Sequence, residues 1–371
     1  MSHEKELLIT LEFPPDIGGV STYLSELFRG WPAGNIKILT TPGKEIAYPH
    51  AVIRKNFYFK NFWPRWSKAL LITLKICKNE NVRRIYISHV LPMGYIAYAA
   101  KKLLGIPYVI FFHGLDVRLA KTKTWKRYWF KKIVREAEAI VANSVYTKDE
   151  ILESLKPLKR AIGVVQPSPK TVKIVKEIRD KPIILSVARL VPRKGIDLAI
   201  AAFPKILAEI PDAKYFIIGD GPERLRLQAQ IIALNLQESV SLLGLVPDAT
   251  LAEFYGRTSV FLFPVREIGA DVEGFGIAPL EASAHGIPVI AGRSGGVAEA
   301  VAHGLTGILI PPGNVEAIRE TVIFLLKNKD VAVKMGEAGR KRAENFKPEL
   351  QMKKLLSYLG YDKNINNHTS L

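Results

Sequence analysis

Along both halves of the chain, short apolar runs alternate with amphipathic segments of helical period. That rhythm predicts strand–helix units and parallel sheets whose strands are buried on both faces. Strands are expected at Leu7–Phe13, Ile36–Thr40, Ile85–Ser88, Tyr108–Phe112, Ala139–Ala142 and Ile162–Val165. The second half repeats the scheme at Ile183–Val187, Lys214–Ile218, Val240–Leu243, Val260–Phe263, Pro288–Ala291 and Gly307–Ile310. Between the halves, Gln166-Pro167-Ser168-Pro169-Lys170 breaks the pattern, because its two prolines disfavour both helix and central strand. The expectation is an α/β protein of two doubly wound, Rossmann-like domains, residues 1–168 and 169–371. A last helix is expected around Pro348–Leu359, ahead of a polar tail at Asn364–Asn367.

A chain of 371 residues is long enough for two such domains, each with its own core. A single cysteine, Cys77, permits no internal disulfide. The start, Met1-Ser2-His3-Glu4, lacks the basic, apolar, small-residue order of a leader. The longest apolar stretch, Leu103 to Phe112, falls well short of the ~20 residues that cross a bilayer. These features predict a cytoplasmic protein without a membrane span, in which the Asn367-His368-Thr369 sequon is accidental.

Charge divides the two halves. Residues 1–180 carry 31 Lys and Arg against 15 Asp and Glu, a net +16, whereas residues 181–371 carry 22 against 20, a net +2. Residues 46–79 contain no acid, and Arg54, Lys55, Lys60, Arg65, Lys68, Lys75 and Lys78 alternate there with Phe57, Tyr58, Phe59, Phe62, Trp63 and Trp66. A second acid-free run, 117–135, mixes Arg118, Lys121, Lys123, Lys126, Arg127, Lys131, Lys132 and Arg135 with Trp125, Tyr128, Trp129 and Phe130. Cations drawn to anionic lipid and aromatics that settle at the headgroup layer describe a patch that binds a membrane surface peripherally. The same composition also fits a solvated face whose aromatics are core residues of amphipathic helices. No recognised motif accompanies it that would indicate nucleic acid.

In open parallel sheets, ligands bind beyond the carboxyl ends of the strands, so chemistry is sought in those loops. Glu273 is followed by Gly274-Phe275-Gly276 and then by a helix carrying Glu281. A helix starting near Gly276 would aim its first N–H groups and positive dipole end at an anion beside Glu273, while the glycines permit close approach. Glu281 lies about one and a half turns further on, so two carboxylates flank a phosphate site, a pattern that suggests a nucleotide sugar. Two glutamates at that spacing also fit a solvated face. Arg189 and Lys194 lie across a turn and could clamp two phosphates; Arg193 is expected to face solvent. Gly18 and Gly19 occupy a strand-to-helix turn, with a helix expected from Ser21, where backbone can approach a phosphate; a plain tight turn fits as well. His113 and Asp116 follow an apolar strand. Gly219-Asp220-Gly221 begins like a dinucleotide fingerprint but has Arg224 where a third glycine is needed. Asp248 is expected to cap the next helix.

The run Glu-Gly-Phe-Gly-Ile-Ala-Pro-Leu-Glu (273–281) resembles the Glu-x7-Glu element of retaining GT-B glycosyltransferases of family 4, also called group 1. The resemblance extends along nearly the whole chain and is most specific at 189–299. It implies the GT-B fold, two domains facing across a cleft, with the last helix packing back on the first. It implies that Arg189 and Lys194 stabilise a departing nucleoside diphosphate, that His113 contacts the transferred sugar, and that Glu273 holds hydroxyls of that sugar. It further implies that Glu281 grips the ribose, that the Gly274, Phe275 and Gly276 backbone meets sugar or phosphate, and that Gly18 and Gly19 lie against the diphosphate and acceptor. Asp116 would orient either His113 or the acceptor hydroxyl. Gly295-Gly296-Val297-Ala298-Glu299 resembles a turn that supports this site. No metal and no cofactor are expected, and Asp271-Val272-Glu273 is not read as a metal motif. The donor would be GDP-mannose or a UDP-sugar, and the acceptor a membrane lipid or cell-envelope glycan, since the Phe-Pro-Pro-x3-Gly start (13–19) is similar to that of lipid mannosyltransferases. Alternatives are a GT-B-like sugar-nucleotide epimerase, an NAD-dependent oxidoreductase and a non-catalytic carbohydrate-binding protein. The broken fingerprint at 219–224 argues against the oxidoreductase, and the two cations and two glutamates against the last.

Overall fold

The computed structural model describes residues 5–32, 35–120, 122–158, 160–170 and 181–361. The start Met1–Glu4, Lys121 of the second basic run, the polar tail and the sequon lie outside these. The apolar runs become strands because each can bury both faces: in Tyr108–Phe112 all five residues are buried. In the first half the strands are β1 (Lys5–Ile9), β2 (Ile36–Thr40), β3 (Ala51–Arg54), β4 (Val82–Ser88), β5 (Tyr108–Phe112), β6 (Ala139–Ala142) and β7 (Gly163–Val164). The second half contributes β8 (Ile183–Val187), β9 (Lys214–Ile218), β10 (Val240–Gly244), β11 (Val260–Phe263), β12 (Val289–Gly292) and β13 (Gly307–Ile310).

Helices connect them as α1 (Gly19–Arg29), α2 (Ser67–Glu80), α3 (Val90–Leu104), α4 (Leu115–Ala120), α5 (Thr124–Glu136) and α6 (Val145–Leu155). The second set is α7 (Ile196–Glu209), α8 (Arg224–Ala233), α9 (Asp248–Arg257), α10 (Ile277–Ala284), α11 (Val297–Ala300), α12 (Val315–Lys327), α13 (Lys329–Ala343) and α14 (Pro348–Tyr358). The chain forms two compact units, Met1–Ser168 with Pro348–Leu371 and Pro169–Lys347.

The first unit has a seven-stranded sheet in the order β3-β2-β1-β4-β5-β6-β7, all pairs parallel. Strand order reverses at β1, the switch point where ligands gather in doubly wound sheets. Its core runs from Leu7 and Ile9 through Ile87 and Ile110 to Phe130 and Ile140. The second unit has a six-stranded parallel sheet, β10-β9-β8-β11-β12-β13, with its own switch point at β8. Helix α14 packs on α1 within the first unit.

Two differences from the sequence reading have physical causes. β3 was not expected, because an edge strand with an exposed Ala51 and Arg54 at its end lacks a continuous apolar run. α1 begins at Gly19, with Gly18 as its N-cap, two residues ahead of Ser21. Among the described residues no helix is long and apolar enough to cross a membrane.

Candidate active site

In the second unit the site grows from three strand ends. After β8, Arg189 is exposed and its side chain makes no hydrogen bond or ion pair among the described residues. Its loop is clamped by the glycine turn after β9: Leu190 N–H donates to the Asp220 carbonyl at 2.9 Å, and Glu223 N–H to the Leu190 carbonyl at 3.1 Å. A Cβ on Gly219 would lie 1.9 Å from the Ala188 carbonyl oxygen, so the two glycines that resemble a dinucleotide motif serve close backbone packing.

The next turn, Pro192–Lys194, ends on Gly195 in the left-handed region, where a Cβ would meet the Pro264 carbonyl oxygen at 2.0 Å. This contact seats the buried Lys194 over the Phe263 ring, Nζ 4.5 Å from its centroid, and 2.5 Å from Glu273 Oε2. The same oxygen accepts from Arg193, whose Nε also pairs with Asp271 at 2.8 Å. Arg193 therefore does not face solvent as the sequence suggested. Burial would raise the Glu273 pKa, but the positive charges of Lys194 and Arg193 outweigh it and hold the carboxyl down at about 2. Burial pulls Lys194 below its usual range, with Glu273 working in the opposite direction.

Gly276 takes φ 99°, the left-handed region, and caps α10, whose first turn carries no acid. Phe275 is buried against Phe346, with ring centroids 5.8 Å apart, so its side chain anchors the turn ahead of α10. The backbone of Glu273 and Gly274 is fixed from behind: Gly296 N–H donates to the Glu273 carbonyl at 3.0 Å, and a Cβ on Gly296 would lie 2.1 Å from the Gly274 carbonyl oxygen. Further along α10, Glu281 accepts from Tyr255 Oη at 3.1 Å and from the Lys170 amide at 3.4 Å. Burial dominates there and pushes its pKa up to about 7. Asp248 makes no side-chain cap on α9; its carboxylate takes the Lys170 ammonium at 2.6 Å. A lysine close by offers a stronger partner than the helix amides.

In the first unit, residues gather at the carboxyl ends of β1, β4 and β5. Gly18 and Gly19 open α1 with neither a side-chain cap nor an acid in the first turn, and the Glu12 carboxylate lies against Gly18, 3.2 Å from where a Cβ would sit. His113 N–H donates to Asp116 Oδ1 at 3.1 Å, so Asp116 fixes the backbone of His113, while its buried Oδ2 has no partner. Burial pushes Asp116 up to about 7 and holds His113 neutral, well below the usual histidine range. His113 Nε2 lies 2.8 Å from Ser88 Oγ and its ring packs edge-on against Tyr23, centroids 5.6 Å apart. Sequence reasoning missed Ser88, His89 and Glu12, although Ser88 and His89 end β4 just as His113 follows β5. Among the described residues, no cluster of three or more His, Cys, Asp and Glu could hold a metal.

The family model "Glycosyl transferases group 1" matches residues 168–342, and "Glycosyltransferase Family 4" matches residues 17–168. A GDP-mannose-dependent monoacylated alpha-(1-6)-phosphatidylinositol monomannoside mannosyltransferase of Corynebacterium glutamicum is 30% identical over 363 residues, covering 92% of this chain and 93% of the relative. The chain is a family 4 glycosyltransferase. An uncharacterized glycosyltransferase of Methanocaldococcus jannaschii is 29% identical over 92% of this chain and 94% of its own. Its fold is GT-B: sucrose-phosphate synthase from Thermosynechococcus elongatus superposes with a TM-score of 0.81 at 22% identity, over 96% of this chain and 99% of that one. Anabaena HepE in complex with UDP-glucose superposes at 0.79 and 16% identity, over 96% and 99%.

The family 4 enzyme also presents a distinct surface on its first unit. Phe57 and Phe130 of the two acid-free runs are core residues, whereas Trp63 is 85% exposed, Phe62 and Tyr128 59% and Trp125 54%. Trp66 stacks on Tyr95, 5.1 Å and 14° apart, and Tyr95 meets Trp129 edge-on at 5.5 Å. This ladder ties the loop before α2 to α3 and α5, so residues of the two runs, distant in sequence, meet across Tyr95.

Proposed function

We infer that the enzyme is a metal-independent, retaining transferase that moves a hexose from a nucleoside-diphosphate sugar to a membrane lipid or cell-envelope glycan. The observation that carries this reading is Glu273 held between Lys194 and Arg193 at the entrance of α10, with an unpaired Arg189 nearby in the chain. Arg189, Lys194 and the α10 amides supply positive charge to a departing diphosphate, which removes the need for a metal. The ionised Glu273 accepts hydrogen bonds from donor-sugar hydroxyls, and Glu281 accepts them from ribose. The nucleophilic acceptor hydroxyl attacks the anomeric carbon on the face the leaving group quits, and the departing phosphate oxygen takes its proton. Catalysis comes from positioning and from charge stabilisation.

GDP-mannose is the favoured donor because the Corynebacterium relative is named for its dependence on it. A UDP-sugar is the second reading, favoured by the likeness to HepE, solved with UDP-glucose. The exposed tryptophans and cations of the first unit favour a lipid acceptor reached by peripheral contact at the inner face of the cell membrane. The deciding experiment incubates the enzyme with labelled GDP-mannose or UDP-glucose and vesicles containing phosphatidylinositol mannosides, followed by product analysis. Label in lipid with α-configuration supports the reading. An altered sugar nucleotide formed without acceptor would indicate an epimerase, and no turnover of either donor would remove both donors named.

A further inference from the structure

Ser88 stands between two imidazoles. Its Oγ is 2.8 Å from His113 Nε2 and 3.1 Å from His89 Nδ1, and the hydroxyl is completely buried. His89 adopts φ 67° and ψ 89°, a left-handed conformation that a residue with a Cβ keeps only where its surroundings enforce it. On its far side, His89 Nε2 lies 3.9 Å from Glu12 Oε1. Burial holds both histidines neutral, so each ring carries one proton, one donor and one acceptor.

One hydroxyl proton can be donated to only one ring, so at least one imidazole must turn an N–H towards Ser88 Oγ. The Ser88 carbonyl and the Glu12 carboxylate compete for the His89 proton, and the anion, the stronger acceptor, breaks the tie. It favours the His89 proton on Nε2, which leaves His89 Nδ1 to accept from Ser88, and Ser88 Oγ then accepts from His113 Nε2–H. His113 Nδ1, which makes no hydrogen bond among the described residues, is left as a bare acceptor. We propose that Ser88 is a positioning residue which, oriented by His89 and Glu12, fixes His113 in the Nε2–H tautomer so that its Nδ1 accepts from a hydroxyl of the transferred sugar. The proposal rests on the reading that His113 meets that sugar.

Ring nitrogen spectra of ¹⁵N-histidine-labelled enzyme test it directly, with His113 assigned by the signal lost in His113→Ala. The expected result is a protonated Nε2 and a pyridine-like Nδ1 in the parent, and a tautomer mixture in both Ser88→Ala and the independent Glu12→Gln. In parallel, Ser88→Ala should lower kcat/KM for the donor roughly tenfold, the loss of one hydrogen bond, with nucleoside diphosphate affinity unchanged. A His113 proton found on Nδ1, or a single Nε2–H tautomer that survives in Ser88→Ala with full kcat/KM, would overturn the proposal. Full donor kcat/KM in His113→Ala would instead remove the sugar contact while leaving the tautomer measurement intact.

Discussion

Lys194 Nζ lies 2.5 Å from Glu273 Oε2 with the Phe263 ring beneath it, so a cation and an anion that the proposed mechanism uses on different parts of one ligand are already bonded to each other. Replacing Lys194 by alanine therefore removes a leaving-group cation and one of the two charges that keep Glu273 ionised. Lys194→Ala and Arg189→Ala should each lose ~10²–10³ in turnover of the nucleotide sugar, the usual cost of a preorganised charge-stabilising group. Steady-state kinetics at saturating donor checks this, and parental rates in both variants would rule out the assignment.

Glu281 predicts a pH effect of definite sign. Its folded-state pKa, pushed up from 4.5 to about 7 by burial, means that the fold prefers the neutral carboxyl. The associated stability is complete below pH 4.5 and is lost as pH rises through about 7, by up to about 3 kcal/mol. Glu281→Gln should flatten this dependence. Urea unfolding at pH 5 and pH 8 should show a smaller stability difference between the two pH values for the variant than for the parent.

Gly296 is confined by backbone. Gly296→Ala would place a methyl against the Gly274 carbonyl, which a rigid loop cannot evade by rotating a side chain. Overpacking of this kind costs about 1–3 kcal/mol, and here it should displace Glu273 as well. Thermal unfolding and donor KM should both worsen, whereas Gly313→Ala, with nothing within 4 Å of its Cβ, should show only the backbone strain of its φ of 79° and leave donor KM unaltered.

The exposed Trp63 and Trp125 predict membrane behaviour. A double replacement by alanine should reduce recovery with anionic vesicles at low salt and leave nucleoside diphosphate binding intact. Neutral vesicles should recover little of the parent enzyme, since each engaged Lys or Arg contributes ~1 kcal/mol only near an anionic surface. Equal recovery on both vesicle types would discount the patch.

A buried carboxylate in the first unit holds Tyr361, just beyond α14. Glu6 accepts from Trp31 Nε1 at 2.8 Å, from Tyr86 Oη at 2.9 Å and from Tyr361 Oη, which also accepts from Arg84 at 2.6 Å. Tyr361→Phe should cost about 1–3 kcal/mol, because Glu6 and Arg84 lose a partner that little water can replace. Equilibrium unfolding measures the loss, and nucleoside diphosphate affinity should be unchanged.

Most of this architecture was legible because parallel strands buried on both faces write themselves as unbroken apolar runs; Tyr108–Phe112 and Val260–Phe263 appear with the same bounds in sequence and structure. β3 was hidden by its edge position. Among the candidate residues, Glu273 and Glu281 were marked by the glycines between them, and Arg189 and Lys194 by their placement across a turn. Arg193 was not, because its partner Glu273 lies 80 residues away and only folding brings them together. Ser88 and His89 carried a signal that went unused, a polar pair at the end of an apolar strand. Glu12 carried none, since its contact with His89 depends on β1 and β4 being neighbours in the sheet.

The contrast between Arg189 and Lys194 bears on the order in which a ligand is captured. An exposed guanidinium without a counter-anion can seize a phosphate at no electrostatic cost, and does so more slowly as salt rises. The ammonium on Glu273 must loosen an existing bond to join in, and only a ligand bringing sugar hydroxyls offers Glu273 something in return. On the proposed reading spent nucleotide lacks that half of the exchange, so the turn that welcomes a loaded donor would also let the empty one go.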